Sequence, residues 1–157
     1  MQVVTLGPAG TYSHRAARAV DDDVVFRESV SAIVAAVDAD EYERGVVPIE
    51  NSIEGSVTET LDAIADAEVA VTQEVITPIR HALLAQSPNF DIIASHSQAL
   101  AQCRSYLEAE YPNHDVEAVT STATGVERAR EDPTFAGIGH PDNAGTDLEV
   151  IAEDIQD

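Results

Sequence analysis

Short apolar runs that stop on a turn, each followed at once by a stretch of helical period, recur along this chain and leave few folds open to it. Val24–Arg27 has the length of a strand and gives way to Ser29, which caps a helix whose Val30, Ile33, Val34 and Val37 share one face. Gln2–Leu6, Gly45–Glu50, Asp91–Ser95, Val116–Thr120, Phe135–Gly139 and Leu148–Ala152 read as further strands. Thr11–Val20, Ile53–Asp66, His96–Tyr111 and Ala123–Arg130 read as helices. Alternating strands and helices imply an α/β fold of mostly parallel sheets flanked by helices. Only Glu68–Val75 and Thr77–Leu84 follow one another as extended segments with no helix between them. That break points to a crossing between two α/β lobes near Val75–His81, with residues 1–76 in the first lobe and 77–157 in the second.

Charge narrows the function. The chain has 29 acidic residues against 8 basic ones, a net charge of −21, and every basic residue is Arg. Such a charge excludes a nucleic-acid-binding surface and argues against binding to anionic membranes. No apolar run approaches the ~20 residues needed to cross a bilayer. The opening "MQVVTLGPAG" is a strand and a turn with no basic leader. The expectation is a cytoplasmic protein with neither nucleic acid nor membrane as partner. Dispersed Asp and Glu without any Lys match the cytoplasm of a salt-in halophile, where concentrated salt screens self-repulsion. The single Cys103 excludes an internal disulfide and a Cys-based zinc site, and it lies in line with Leu100, Leu107 and Tyr111 on a core-facing stripe. The five His residues form no H-x-x-x-H pair, so surface or capping roles are expected and no metal site. Asp142 and Asp147 beside Gly145 lack the spacing of a calcium loop.

Polar residues gather where strands pass into helices: "GPAGTYS" after the first strand, "ENS" after the third, "SHSQ" and "TST" in the second half. At Glu50-Asn51-Ser52 two readings stay open. Asn51 or Ser52 can cap the following helix, with Glu54 favouring the positive end of its dipole. Alternatively the turn is part of a site, because helix starts just past strand ends are where open α/β sheets bind small anions. Ser95 and Gln98 fit a capping box, and Gln102 sits one turn further on the same face. Repeated in two lobes, the arrangement points to an interlobe cleft lined by N–H groups, hydroxyls and amides, suited to a small organic carboxylate. A P-loop is excluded by the absence of Lys, and "GPAGTYS" fails the dinucleotide pattern G-x-G-x-x-G.

"GPAGTYSHRAA" (Gly7–Ala17), "VPIENSIEGSVTETLD" (Val47–Asp62), "SHSQALAQC" (Ser95–Cys103), "STA" (Ser121–Ala123) and "LEVIAEDIQD" (Leu148–Asp157) together resemble the prephenate dehydratase family, in sequence and in order, along the whole chain. Ser97 stands where the family usually has Pro, a position early in a helix where either residue is tolerated. The resemblance implies a two-lobed, type II periplasmic-binding-protein-like fold that converts prephenate to phenylpyruvate without a cofactor. It implies Glu50, Asn51 and Gln102 as catalytic residues and Thr11, Ser52, Ser95, Ser121 and Thr122 as substrate-binding ones. The family's Thr-Arg-Phe motif and its regulatory ACT domain have no counterpart in this chain. The expectation is a truncated form, inactive alone, that dimerises or borrows packing from a neighbour. A binding module for small organic anions on the same two-lobed fold is the alternative. The absence of an export signal or DNA-binding segment favours the enzyme.

The charge pattern makes folding depend on salt. In multimolar KCl the screening length falls to a few ångströms, ~3 Å at 1 M. Circular dichroism should show a cooperative fold there and loss of it in dilute buffer; equal stability in both would refute the halophilic reading.

Overall fold

The computed structural model describes residues 1–51 and 55–157. The chain divides into two compact α/β units, Met1–Thr77 and Pro78–Asp157.

The first unit runs β1 (Val3–Leu6), α1 (Tyr12–Arg18), β2 (Val24–Arg27), α2 (Val30–Asp38), β3 (Arg44–Val46), β4 (Glu50–Asn51), β5 (Gly55–Ser56) and α3 (Thr58–Ala65). Its main sheet is parallel, in the order β2-β1-β3. The central strand is buried through Val3, Val4 and Thr5, and the Thr5 hydroxyl donates to the Val46 carbonyl at 2.7 Å. Ser29 caps α2 as expected, accepting from the Ala32 N–H at 3.1 Å.

The second unit runs β6 (Ala82–Ala85), β7 (Ile92–His96), α4 (Ser97–Gln102), α5 (Arg104–Glu110), β8 (Asp115–Val119), α6 (Thr122–Glu131), β9 (Phe135–Gly139), a 3-10 turn (Pro141–Ala144) and β10 (Glu149–Ala152). The sheet order is β10-β6-β9-β7-β8. Strands β9, β7 and β8 are parallel, whereas β6 and β10 join antiparallel, so this sheet is parallel-rich but mixed. Strand β6 is apolar throughout because both its faces are covered. Leu83 and Ala85 meet Phe90, Ile93, Cys103, Leu107 and Ile138 on one side. Ala82 and Leu84 meet Val126, Ala129 and Leu148 on the other. Leu100, Cys103, Leu107 and Tyr111 pack together as their spacing implied. Burial pushes the Cys103 thiol up to about 12, aided by the Asp157 carboxylate, which suits a core residue and not a nucleophile.

Four expectations need correction. The helix expected from Ile53 begins at Thr58, because a short antiparallel ladder first pairs Glu50 with Ser56 and Asn51 with Gly55, whose φ of +76° suits glycine. Its buried face carries Thr60 while Leu61 is exposed. The strand expected over Gly45–Glu50 ends at Val46, since Pro48 has no N–H to continue a ladder. The helix expected over His96–Tyr111 is two helices that break at Cys103, whose φ is −111°. The extended segment expected over Glu68–Val75 forms no ladder among the described residues. Alternating hydrophobicity marks strand capacity but supplies no partner.

Helix α6 lies unusually close to its sheet. A side-chain carbon on Gly125 would stand 2.3 Å from the Ala94 carbonyl oxygen, and one on Gly137 would stand 2.7 Å from the Val126 nitrogen. Both obstacles are backbone, so neither can rotate away. Gly125→Ala and Gly137→Ala should each destabilise the protein by about 1–3 kcal/mol or more. Urea unfolding in concentrated KCl would measure this; an unchanged midpoint would show that the helix is free to ride outward.

Candidate functional site

In the first unit, Thr11 and the Glu50-Asn51 hairpin both follow the carboxyl edge of the parallel sheet. Thr11 lies in the turn after β1, and its hydroxyl caps α1 by accepting from the His14 N–H at 3.2 Å while donating to the Pro8 carbonyl at 3.0 Å. The His14 Nδ1 in turn accepts from the Gly10 N–H at 3.0 Å, which ties the turn to the helix. Beyond β3, the chain is anchored to α3. The buried Thr60 hydroxyl donates to the Pro48 carbonyl at 2.5 Å, and the Val57 N–H donates to the Ile49 carbonyl at 2.9 Å. These two bonds hold Glu50, which is exposed, and Asn51, which is half-buried. Asn51 is a ladder residue here, so capping of the next helix is not its role; the residue at the α3 N-cap position is Val57, which has no side-chain cap to offer. The expectations for Ser52 and Glu54 fall outside the described residues.

In the second unit, the pairing register brings the remaining candidates to one edge of the sheet. His96 pairs with Val119, so β7 and β8 end side by side. Gly139 at the end of β9 pairs with Ala82 at the start of β6, which puts His81 on that edge as well. Ser121 caps α6 there, accepting from the Thr124 N–H at 3.0 Å, and Thr122 is the first residue of that helix. The capping box expected from Ser95 is replaced by a His96 cap, whose Nδ1 accepts from the Gln98 N–H at 3.2 Å. The reason is strand alternation: β7 continues through His96, and the Ser95 side chain turns inward, where its hydroxyl donates to the Ile138 carbonyl at 2.7 Å. His140 caps the 3-10 turn in the same manner, accepting from the Asp142 N–H at 3.1 Å. Two of the five His residues thus have the capping role expected of them.

Gln102 reaches this edge through a residue that sequence reasoning missed. His81 is 2% exposed, and its Nε2 contacts the Gln102 Oε1. Burial holds the His81 imidazole below its ordinary value, against the Gln102 contact, which works the other way. The expectation of a surface or capping role therefore fails for His81. The available signal was its place in "IRHALLA", a polar ring opening a wholly apolar strand. Among the described residues no group of His, Cys, Asp and Glu is arranged to hold a metal ion. No helix there is long and apolar enough to cross a membrane.

A family model described as prephenate dehydratase matches residues 3–157. The chain belongs to the prephenate dehydratase family. It is 36% identical to the prephenate dehydratase of Lactococcus lactis subsp. lactis, over all of this chain and 59% of that protein. It is 35% identical to the bifunctional chorismate mutase/prephenate dehydratase of Aquifex aeolicus, over all of this chain and 45% of that protein. Among solved structures, the prephenate dehydratase of Arthrobacter aurescens in complex with L-Phe matches with a TM-score of 0.87 at 34% identity, over all of this chain and 56% of that one. The chain thus spans about half the length of these relatives. The α/β architecture agrees with the two-lobed, periplasmic-binding-protein-like fold expected for a prephenate dehydratase catalytic domain.

The buried imidazole gives stability a pH dependence of known sign. The folded value of His81 lies below the unfolded one, so the unfolded chain takes up the proton first as pH falls. The His81 contribution is present above the ordinary histidine range, about 6.5, and is lost as pH drops through it. Unfolding free energies measured from pH 8 to 5 in concentrated KCl should fall more steeply for the wild type than for His81→Phe. The excess slope should be at most about 1.4 kcal/mol per pH unit. Parallel profiles would show that His81 titrates alike in both states.

Proposed function

We propose that this chain carries prephenate dehydratase chemistry, converting prephenate to phenylpyruvate, carbon dioxide and water without a cofactor. The ring carboxylate leaves as carbon dioxide, and the electron pair of its C–C bond flows into the ring. The ring C–O bond breaks, and a proton delivered to the departing hydroxyl makes water. Aromatisation drives the step, so the protein must hold two carboxylates and supply that proton. In this reading Thr11, Asn51 and Ser52 of the first unit, with Gln102, Ser121 and Thr122 of the second, supply neutral donors, while the buried Ser95, expected to bind substrate, gives its one proton to the Ile138 carbonyl and steadies the strand end instead. Glu50 contacts the ring hydroxyl or orients other groups. The observation that carries the proposal is the gathering of Gln102, Ser121 and Thr122 at one sheet edge, beside the strand end that holds Ser95. Those four lie in the motifs that carry the family resemblance.

Residues 1–76 and 77–157 would form the two lobes of the enzyme, working as a homodimer in a cytoplasm rich in salt. The absence of Lys and the net charge of −21 support the halophilic origin.

Asn51→Ala and Gln102→Ala should each lower turnover while leaving the fold largely in place. One lost donor in a closed site removes roughly 2.7–4 kcal/mol of transition-state stabilisation, or about 10²–10³ in rate. Phenylpyruvate absorbance would be followed with this chain, alone or extended to the length of its relatives. Wild-type turnover in both variants would overturn the assignment.

A further inference from the structure

The His81–Gln102 pair decides what Gln102 can offer a ligand. An imidazole nitrogen and a side-chain amide can meet in two ways. With the proton on Nε2, His81 donates to the amide oxygen, and the amide N–H groups are left to face a ligand. With the proton on Nδ1, Nε2 accepts from the amide nitrogen, and the carbonyl oxygen is left. The first arrangement attracts a carboxylate or the oxygen of a departing hydroxyl; the second repels a carboxylate and offers that oxygen no proton. The contact seen is between His81 Nε2 and Gln102 Oε1, the first arrangement.

We propose that His81 carries its proton on Nε2 and is the positioning residue that presents Gln102 to the substrate as an N–H donor. The proposal rests on the reading of Gln102 as a substrate-contacting residue. Both partners are pinned by the same short tail. The His81 N–H donates to the Gln156 Oε1 at 2.8 Å, the Ile155 N–H donates to the His81 carbonyl at 3.1 Å, and the Asp157 N–H donates to the Gln102 carbonyl at 2.7 Å. Ile155 is itself buried in the core. Gln102 is the last residue of α4, so the helix alone leaves its three-rotor side chain free. The imidazole removes that freedom before substrate arrives, and it does so from a buried position that favours the neutral ring with a single proton to place.

Nitrogen-15 spectra of the chain with labelled histidine test the tautomer directly. The expected result is a His81 ring protonated on Nε2 at pH 7–8, with the Gln102 side-chain amide signals shifted in His81→Phe. Kinetics on this chain, alone or extended to the length of its relatives, test the consequence. His81→Phe should lose about 10- to 100-fold in kcat/KM, the usual scale for removing a group that orients a ligand-binding side chain. His81→Gln, which restores an N–H near the Nε2 position, should recover most of it. A proton on Nδ1, or unchanged Gln102 amide signals, overturns the proposal. So does wild-type turnover in His81→Phe, or a His81→Gln variant that folds and is as poor as His81→Phe. If His81→Phe fails to fold, the wild-type tautomer still decides. If no form turns over prephenate, the functional reading falls, and the spectra decide the positioning role on their own.

Discussion

The second unit depends on how closely α6 approaches its sheet. With hydrogen alone on Gly125 and Gly137, the helix backbone rests on the backbones of β7 and β9. That contact sets the depth and register of the helix, and its amino end carries the Ser121 cap and Thr122. A larger residue at either glycine would lift the helix and move those hydroxyls away from the edge where β7, β8 and β9 end. Core packing and site geometry are therefore one constraint here, because close-packed backbones transmit displacement instead of absorbing it.

Elsewhere the candidate residues are held by hydrogen bonds to backbone carbonyls. Thr60 reaches back to Pro48, just ahead of Glu50 and Asn51. Ser95 spends its hydroxyl on Ile138, tying β7 to β9 beside the strand ends. The tail 154–157 closes against His81 and Gln102. In each case a short polar side chain or free N–H satisfies a carbonyl and, in doing so, fixes the position of a neighbour with chemical potential.

Arg is the basic side chain of nearly every ion pair among the described residues. Arg80 forks onto Asp154 at 2.9 and 3.1 Å, Arg128 meets Glu117 at 2.7 Å, and Arg130 joins Glu127 and Asp147 at 3.2 Å. These pairs are exposed or nearly so, and each is worth little by itself. Eight cations cannot compensate 29 carboxylates, so most of the negative charge faces solvent counterions rather than a protein partner.

The amino-acid sequence by itself determined the α/β class, the strands β2 and β9 at their observed limits, and the cap at Ser29. Those features are local: period, capping chemistry and turn residues act within a few positions, and the chain carries them wherever it folds. Motif spelling singled out Thr11, Asn51, Gln102 and Ser121 as candidates through the family resemblance. Only the tertiary structure decided that Ser95 faces inward while His96 caps, that Asn51 sits in a hairpin ladder and does not cap, and that β6 and β10 run antiparallel. It alone brought His81 to Gln102 across 21 positions of sequence. Pairing partners, strand direction and the occupant of a buried polar contact are set by which surfaces meet. No periodicity within a single segment records that meeting.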